Sequence, residues 1–230
     1  MLEALATFDS EPIFLTLQLA SMTLAVLMIV GLPLAWWLAN TKSPFRGVIE
    51  TLTALPLVLP PSVLGFYLLV FLGKGSLIGE AWQSATGEPL VFTFSGLVIA
   101  SCIYSLPFVV QPLQAGFESI DKRTIEAALS LGATHLRTVL EVVLPNMRRS
   151  LIVASVLGFA HTVGEFGVVL MVGGNIPGET QVISIAIYEH VESIEYEAAH
   201  LLSMVLLAFS FVVLLIVYGA NGGKREALIA

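Results

Sequence analysis

Charge is what this sequence has least of. Asp, Glu, Lys and Arg make up only 12% of its 230 residues, against about 25% in soluble domains. With so few charges and 57% hydrophobic residues, the chain cannot cover a globule with polar surface and is expected to sit in lipid. Basic residues are the scarcer sign: 10 against 17 acidic, for a net charge of −7. That balance, with no basic run, argues against nucleic-acid binding. Cysteine is almost absent. Cys102 alone offers neither an internal disulfide nor a metal cluster, and in its apolar run it reads as a small buried hydrophobe.

Catalytic motifs are missing too. The strings Gly73-Lys74-Gly75 and Gly222-Gly223-Lys224-Arg225 lack the glycine spacing and terminal Ser/Thr of a phosphate-binding loop. The chain is therefore expected not to hydrolyse ATP, and to hold no cofactor or metal of its own. No Ser/His/Asp or Cys/His nucleophile arrangement is readable. The N-terminal residues include Glu3, Asp9 and Glu11 but no Lys or Arg, and the first apolar run is too long for a signal peptide, so no cleavable signal is expected.

Long apolar runs are what the sequence does have. Thirty uncharged residues separate Glu11 from Lys42, 23 separate Glu50 from Lys74, and 29 separate Glu88 from Glu118. A fourth run follows Arg149 to about Val172, interrupted by Glu165, and a fifth spans 198–223. About 20 apolar residues cross a bilayer as helix, and helix is the default because lipid satisfies no backbone polar group. The fold class predicted is an all-α integral membrane protein with about five transmembrane helices in one domain over 1–230. The approximate spans are 13–40, 51–73, 90–117, 150–172 and 198–220, with a cytoplasmic loop at 118–149. With the N-terminus outside and the C-terminus inside, nine of ten basic residues are cytoplasmic, including Lys224 and Arg225, as the positive-inside rule demands. Trp36, Trp37 and Tyr218 read as interfacial anchors.

Three places carry candidate function. Pro56, Pro60 and Pro61 fall within six residues of the second span and predict a kink or break. The break serves either a pore-lining or gating helix, or a merely bent, well-packed one. Glu165 is the one acid inside a span, and His161 lies four residues earlier on the same helical face. That pair reads as a structural contact at a helix or dimer interface, or as a gate on a translocation path. The third place is the loop at 118–149. Asp121 suits an N-cap and Gly132 a left-handed helix end, predicting a short surface helix, a glycine turn and a second helix leading to Pro145. Such an element suits docking into a groove on a partner.

The loop also resembles a known pattern. Glu126-Ala127-Ala128, three residues, Gly132, nine residues, then Val142-Val143-Leu144-Pro145 is similar to the EAA loop of ABC importer permeases, with Val142 where isoleucine is usual. Gly164-Glu165-Phe166-Gly167, the stretch from Gly174 to Thr180 and the proline-rich segment resemble the molybdate/sulfate-type permeases, the 175–180 stretch more the molybdate or tungstate members. His161 departs from the arginine of many relatives, which puts a fixed positive charge on the path in doubt.

The resemblance implies a type I ABC importer permease fold whose loop is a coupling helix, with Glu126, Ala127, Ala128, Gly132, Ala133, Leu144 and Pro145 meeting an ATPase subunit. It further implies a homodimer, two ABC ATPase subunits that bind ATP and magnesium, and an extracytoplasmic oxyanion-binding protein. The place would be the bacterial or archaeal cytoplasmic membrane. Molybdate or tungstate is the implied substrate; sulfate or another ABC import cargo is the alternative. An ion-gradient transporter would predict more intramembrane carboxylates and internal repeats. The outer stretch with Glu179, Glu189, Glu192, Glu195 and Glu197 reads as a solvated loop, a contact for a binding protein, or a cation-capturing surface. Re-entrant structure near Ile183–Tyr188 stays open.

Overall fold

The computed structural model describes residues 9–221, with side chains as far as Ile216. The Tyr218 ring, Lys224 and Arg225 lie outside the described residues. Among the described residues every regular element is helical. In chain order the helices are α1 (Glu11–Asn40), α2 (Arg46–Ala54), α3 (Pro61–Leu72), α4 (Leu77–Thr86), α5 (Phe94–Glu118) and α6 (Lys122–Ser130). Then come α7 (His135–Asn146), α8 (Arg148–Val163), α9 (Gly167–Gly173), α10 (Ile183–Glu192) and α11 (Tyr196–Asn221).

Three of them, α1, α5 and α11, are long and apolar enough to cross a membrane. Two bent pairs add up to two more spans: α2 with α3, turned by 113°, and α7 with α8, turned by 73°. The second expected span is therefore broken, as its prolines predict. A 3-10 turn at Leu55–Leu57 follows α2, and Pro60 and Pro61, which have no N–H to give, start α3 afresh. The fourth expected span, 150–172, is not one helix. It begins at Arg148, stops at Val163, and resumes as α9 after the non-helical Gly164-Glu165-Phe166.

Past α9 the chain reverses at Gly174 (φ 68°) and enters α10. The acidic outer stretch is thus not a loop throughout: ten of its residues form α10, whose Ile183, Ile185 and Ala186 are buried. Ten residues reach about 15 Å, half the hydrocarbon thickness, so α10 is too short to cross a membrane. Its buried start is satisfied from α1, where Thr16 Oγ1 accepts the Ile183 N–H at 2.8 Å and donates to the Pro12 carbonyl at 2.6 Å. Helix α4 had no counterpart in the sequence reading, although Ser76 caps its start (2.9 Å to Gly79 N) and Gly87 its left-handed end (φ 84°).

Helices α1, α5 and α8 form the main layer around Leu27, Leu38, Val109, Val110, Leu113 and Ala154. Lipid is as apolar as leucine, so close packing and hydrogen bonds hold such layers. Gly158 of α8 sits so near Val109 that any added methyl would overlap it. A second cluster joins α3, α9 and the 87–93 turn through Leu68, Leu72, Leu90, Val168 and Val172. Trp36 is exposed, whereas Trp37 packs on the main layer. An Arg46–Glu118 ion pair at 2.9 Å ties the start of α2 to the end of α5. The basic residues at 42–46 and 122–137 therefore share one end of the molecule with α6.

Candidate functional site

The loop at that end follows its predicted pattern closely. Asp121 Oδ1 accepts the Arg123 N–H at 2.9 Å and caps α6. At the other end Gly132 has φ 88°. The Gly132 N–H bonds the Leu129 carbonyl at 3.0 Å and the Ala133 N–H the Ala128 carbonyl at 3.1 Å. This pair of bonds is a Schellman end, and it gives Ala128, Gly132 and Ala133 a local reason: they close the helix. Thr134 then caps α7 through the Arg137 N–H at 3.3 Å.

Pro145 lies inside α7 rather than after it. Having no N–H for the Glu141 carbonyl, it is preceded by a π turn, Val139–Val143, in which the Leu144 N–H reaches back to the Val139 carbonyl. Glu126, Ala127, Gly132 and Pro145 are exposed, and Ala128, Ala133 and Leu144 half-buried. Leu131 is 90% exposed and Leu136 69%. The loop therefore presents an apolar tip, anchored underneath by Ile125, Val143 and Met147 in the main layer.

The second site forms where the two broken spans meet. Gly167 lies against Pro61 so closely that a methyl at Gly167 would stand 2.9 Å from Pro61 Cβ. Beside this contact opens a cleft of about 550 Å³ lined by Pro61, Ser62, Tyr104, Ala160, His161 and residues 164–167. Pro61, His161 and Glu165 are thus brought together. Pro60 adjoins them as the residue before α3, while Pro56 is buried in the 3-10 turn and lines no part of the cleft.

His161 and Glu165 do not share a direct hydrogen bond. Their nearest atoms are 3.6 Å apart, and Ser105 bridges them, 2.8 Å from His161 Nδ1 and 2.8 Å from Glu165 Oε1. Ser101 donates to Glu165 Oε2 at 2.5 Å, and Thr162 Oγ1 lies 2.9 Å from the Ser105 hydroxyl. The Glu165 carbonyl accepts from Ser184 of α10. A carboxylate whose side chain is fully buried thus has both oxygens satisfied, which an intramembrane charge requires. Ser101, Ser105 and Thr162 were missed in the sequence. Their signal was two serines four apart in an apolar run, one face of α5.

The outer acids of α10 and its flanks largely bond within the chain. Glu189 accepts from Asn175 (2.9 Å) and Gln181 (2.5 Å), Glu192 from Tyr188 (2.6 Å), and Glu195 lies 2.8 Å from His190.

The model of the binding-protein-dependent transport system inner membrane component family matches residues 31–221. Over 220 residues the chain is 53% identical to the molybdenum transport system permease protein ModB of Azotobacter vinelandii, covering 96% of this chain and 97% of that one. It is 33% identical over 207 residues to ModB of Escherichia coli (strain K12), covering 90% of each. The sulfate transport system permease protein CysT of the same strain is 33% identical over 186 residues, covering 81% of this chain and 67% of that one.

Among solved structures, a bacterial ABC transporter involved in import of the acidic polysaccharide alginate matches with TM-score 0.70 at 20% identity, over 94% of this chain and 78% of that one. The MetNI methionine ABC transporter matches with TM-score 0.68 at 17% identity, over 96% and 99%. At such identities they speak for the fold alone. This chain belongs to the family of binding-protein-dependent transport system inner membrane components, as a multi-pass permease with the ABC importer fold.

Proposed function

We propose that this chain is the membrane-spanning subunit of an ATP-driven importer of molybdate, or of its close analogue tungstate. The observation that carries the substrate is 53% identity with a molybdenum permease along 96% of the chain; the sulfate permease CysT is more distant, at 33%. Two copies form the pore, because one chain offers one loop to a motor made of two ATPase subunits. The N-terminus lies outside and the basic end inside, where the positive-inside rule puts it.

The exposed loop Glu126–Pro145 docks on the ATPase, which binds ATP and magnesium and does the hydrolysis. Leu131 and Leu136 are the apolar anchors such a docking helix needs, and the capped, Schellman-closed α6 keeps its shape as it is moved. An extracytoplasmic binding protein delivers the oxyanion to the opposite face. The cleft between the two helix breaks belongs to the translocation path, which alternates between inward- and outward-open states. Non-helical backbone at membrane depth is tolerated where it lines a cavity, and Gly164-Glu165-Phe166 does so.

Reconstitution with the ATPase and binding protein tests this reading, with ATP-dependent uptake of molybdate, tungstate and sulfate measured in parallel. Molybdate and tungstate should enter and sulfate should lag; equal or faster sulfate uptake overturns the substrate assignment.

A further inference from the structure

Helix α2 is amphipathic in an inverted sense. Phe45 before it, Val48 and Leu52 within it and Leu55 after it fall at helical spacing, and all are exposed. The polar residues turn inward instead. Arg46 pairs with Glu118 of α5 at 2.9 Å, and Glu50 accepts from Gln114 of α5 at 3.0 Å. Thr53, on the same face, is buried. An outward apolar stripe of this kind belongs among acyl chains. The turn of 113° between α2 and α3 sets α2 nearer perpendicular than parallel to α3, as suits a helix that rests in a membrane surface.

At the start of α2, where α1, α5 and α6 also meet it, lies a pocket of about 290 Å³. Its apolar wall includes Phe117 and Ile125, and its polar residues include Asn40, Arg46, Glu118 and Lys122. Two cations therefore stand against one acid. Glu118 is committed to Arg46 and to Gln114, 3.2 Å away, and takes one of the five N–H groups of the guanidinium. Lys122 has no acidic partner among the described residues, and neither has Lys42 in the turn before α2. The pocket thus joins one uncompensated positive charge to an apolar wall, and the apolar stripe leads away from it.

We propose that this pocket binds an anionic phospholipid from the leaflet on the side of the 118–149 loop. Lys122 and Arg46 hold the headgroup phosphate, the glycerol rests on Phe117 and Ile125, and the acyl chains follow the α2 stripe. Charge selects this occupant. A zwitterionic lipid brings no net charge to meet Lys122, and a second copy docked on the same patch by two-fold symmetry brings like cations to it. Basic pockets between the ends of membrane helices suit anionic headgroups in this way. The proposal holds whatever cargo the permease carries.

The test uses the full-length chain in vesicles, with Trp37→Phe and Trp82→Phe so that Trp36, exposed and lining the pocket, is the remaining tryptophan. Quenching of Trp36 is compared when the brominated component is phosphatidylglycerol and when it is phosphatidylcholine. Phosphatidylglycerol should be preferred about fivefold, the worth of one lysine at an anionic surface. The preference should vanish in Lys122→Gln and persist in Lys122→Arg. It should also persist in Arg123→Gln, since Arg123 is not on the pocket wall. Lipid retained by the wild-type chain, weighed by native mass spectrometry, makes the same comparison without the tryptophan replacements. A wild type without preference, or an equal loss in Arg123→Gln, overturns the site, the second outcome pointing to diffuse attraction. Release of the lipid by millimolar inorganic phosphate overturns the lipid as occupant in favour of a free anion. Trp36 shielded from both brominated lipids overturns it as well, and places a protein surface on the stripe.

Discussion

The Ser105 hydroxyl lies 2.8 Å from the Glu165 carboxylate although 60 residues separate them in the chain. With Ser101 one turn earlier, it gives the buried acid two donors from a single face of α5. The acid is thereby built into the contact between α5 and the break after α8, at the back wall of the cleft.

Removing the donors should strand the charge. Ser105→Ala is expected to cost about 1–3 kcal/mol, the range for leaving a buried acceptor unsatisfied. Ser101→Ala with Ser105→Ala should cost more. In that double background Glu165→Gln should restore part of the loss, because it removes the charge that lacks partners. Thermal unfolding midpoints of the purified protein in detergent read all three. A further fall on adding Glu165→Gln would show that the serines pack rather than solvate the acid.

The turn after α6 makes a conformational prediction without a packing one. Gly132 has φ 88°, and a Cβ built there meets nothing within 4 Å. Gly132→Asn, which tolerates the left-handed region, should therefore retain most uptake. Gly132→Val should strain the turn by about 1–2 kcal/mol and uncouple ATP hydrolysis from uptake while the protein still inserts. Normal uptake in the valine variant would sink the coupling role of the loop.

Asp121 supplies a milder perturbation of the same helix. Asp121→Ala removes the cap on the Arg123 N–H and should weaken α6 by about 1 kcal/mol. Amide exchange across 122–130 should then speed up roughly fivefold, with α5 unchanged. Faster exchange in α5 as well would mean that the two helices open as one unit.

Much of this was legible in the sequence, for identifiable reasons. Charges can stand only at the ends of apolar runs, so the limits of α1 and α5 followed from Glu11, Lys42, Glu88 and Glu118. Proline chemistry foretold the break before α3, and Asp121 with Gly132 foretold both ends of α6. The fourth span was misread because Gly164-Glu165-Phe166 is apolar enough to pass as helix. What breaks it is tertiary: Glu165 turns toward two serines in another helix and toward Ser184. Helix α10 was legible only as an open re-entrant reading near Ile183–Tyr188, since its acids looked solvated while their partners, Asn175, Gln181, Tyr188 and His190, are spread over sixteen residues.

Two glycines separate tight packing from open surface in the bent pair that walls the cleft. A Cβ at Gly65 in α3 would stand 2.8 Å from Met171 Cβ and 3.2 Å from Val168 Cα, both in α9. Neither is the free end of a flexible chain, so α3 and α9 must part to admit it. Gly47, in the first turn of α2, meets nothing within 4 Å, and there alanine is the better helix former by up to about 1 kcal/mol. Gly65→Ala is therefore expected to lower stability by about 1–3 kcal/mol, as overpacking does, and to depress uptake by shifting the wall of the cleft. Gly47→Ala should leave uptake intact and stability unchanged or slightly higher. Paired thermal melts and uptake assays check both. If Gly65→Ala melts and transports like the wild type, the contact between α3 and α9 is loose, and the cleft beside it is not held to one shape.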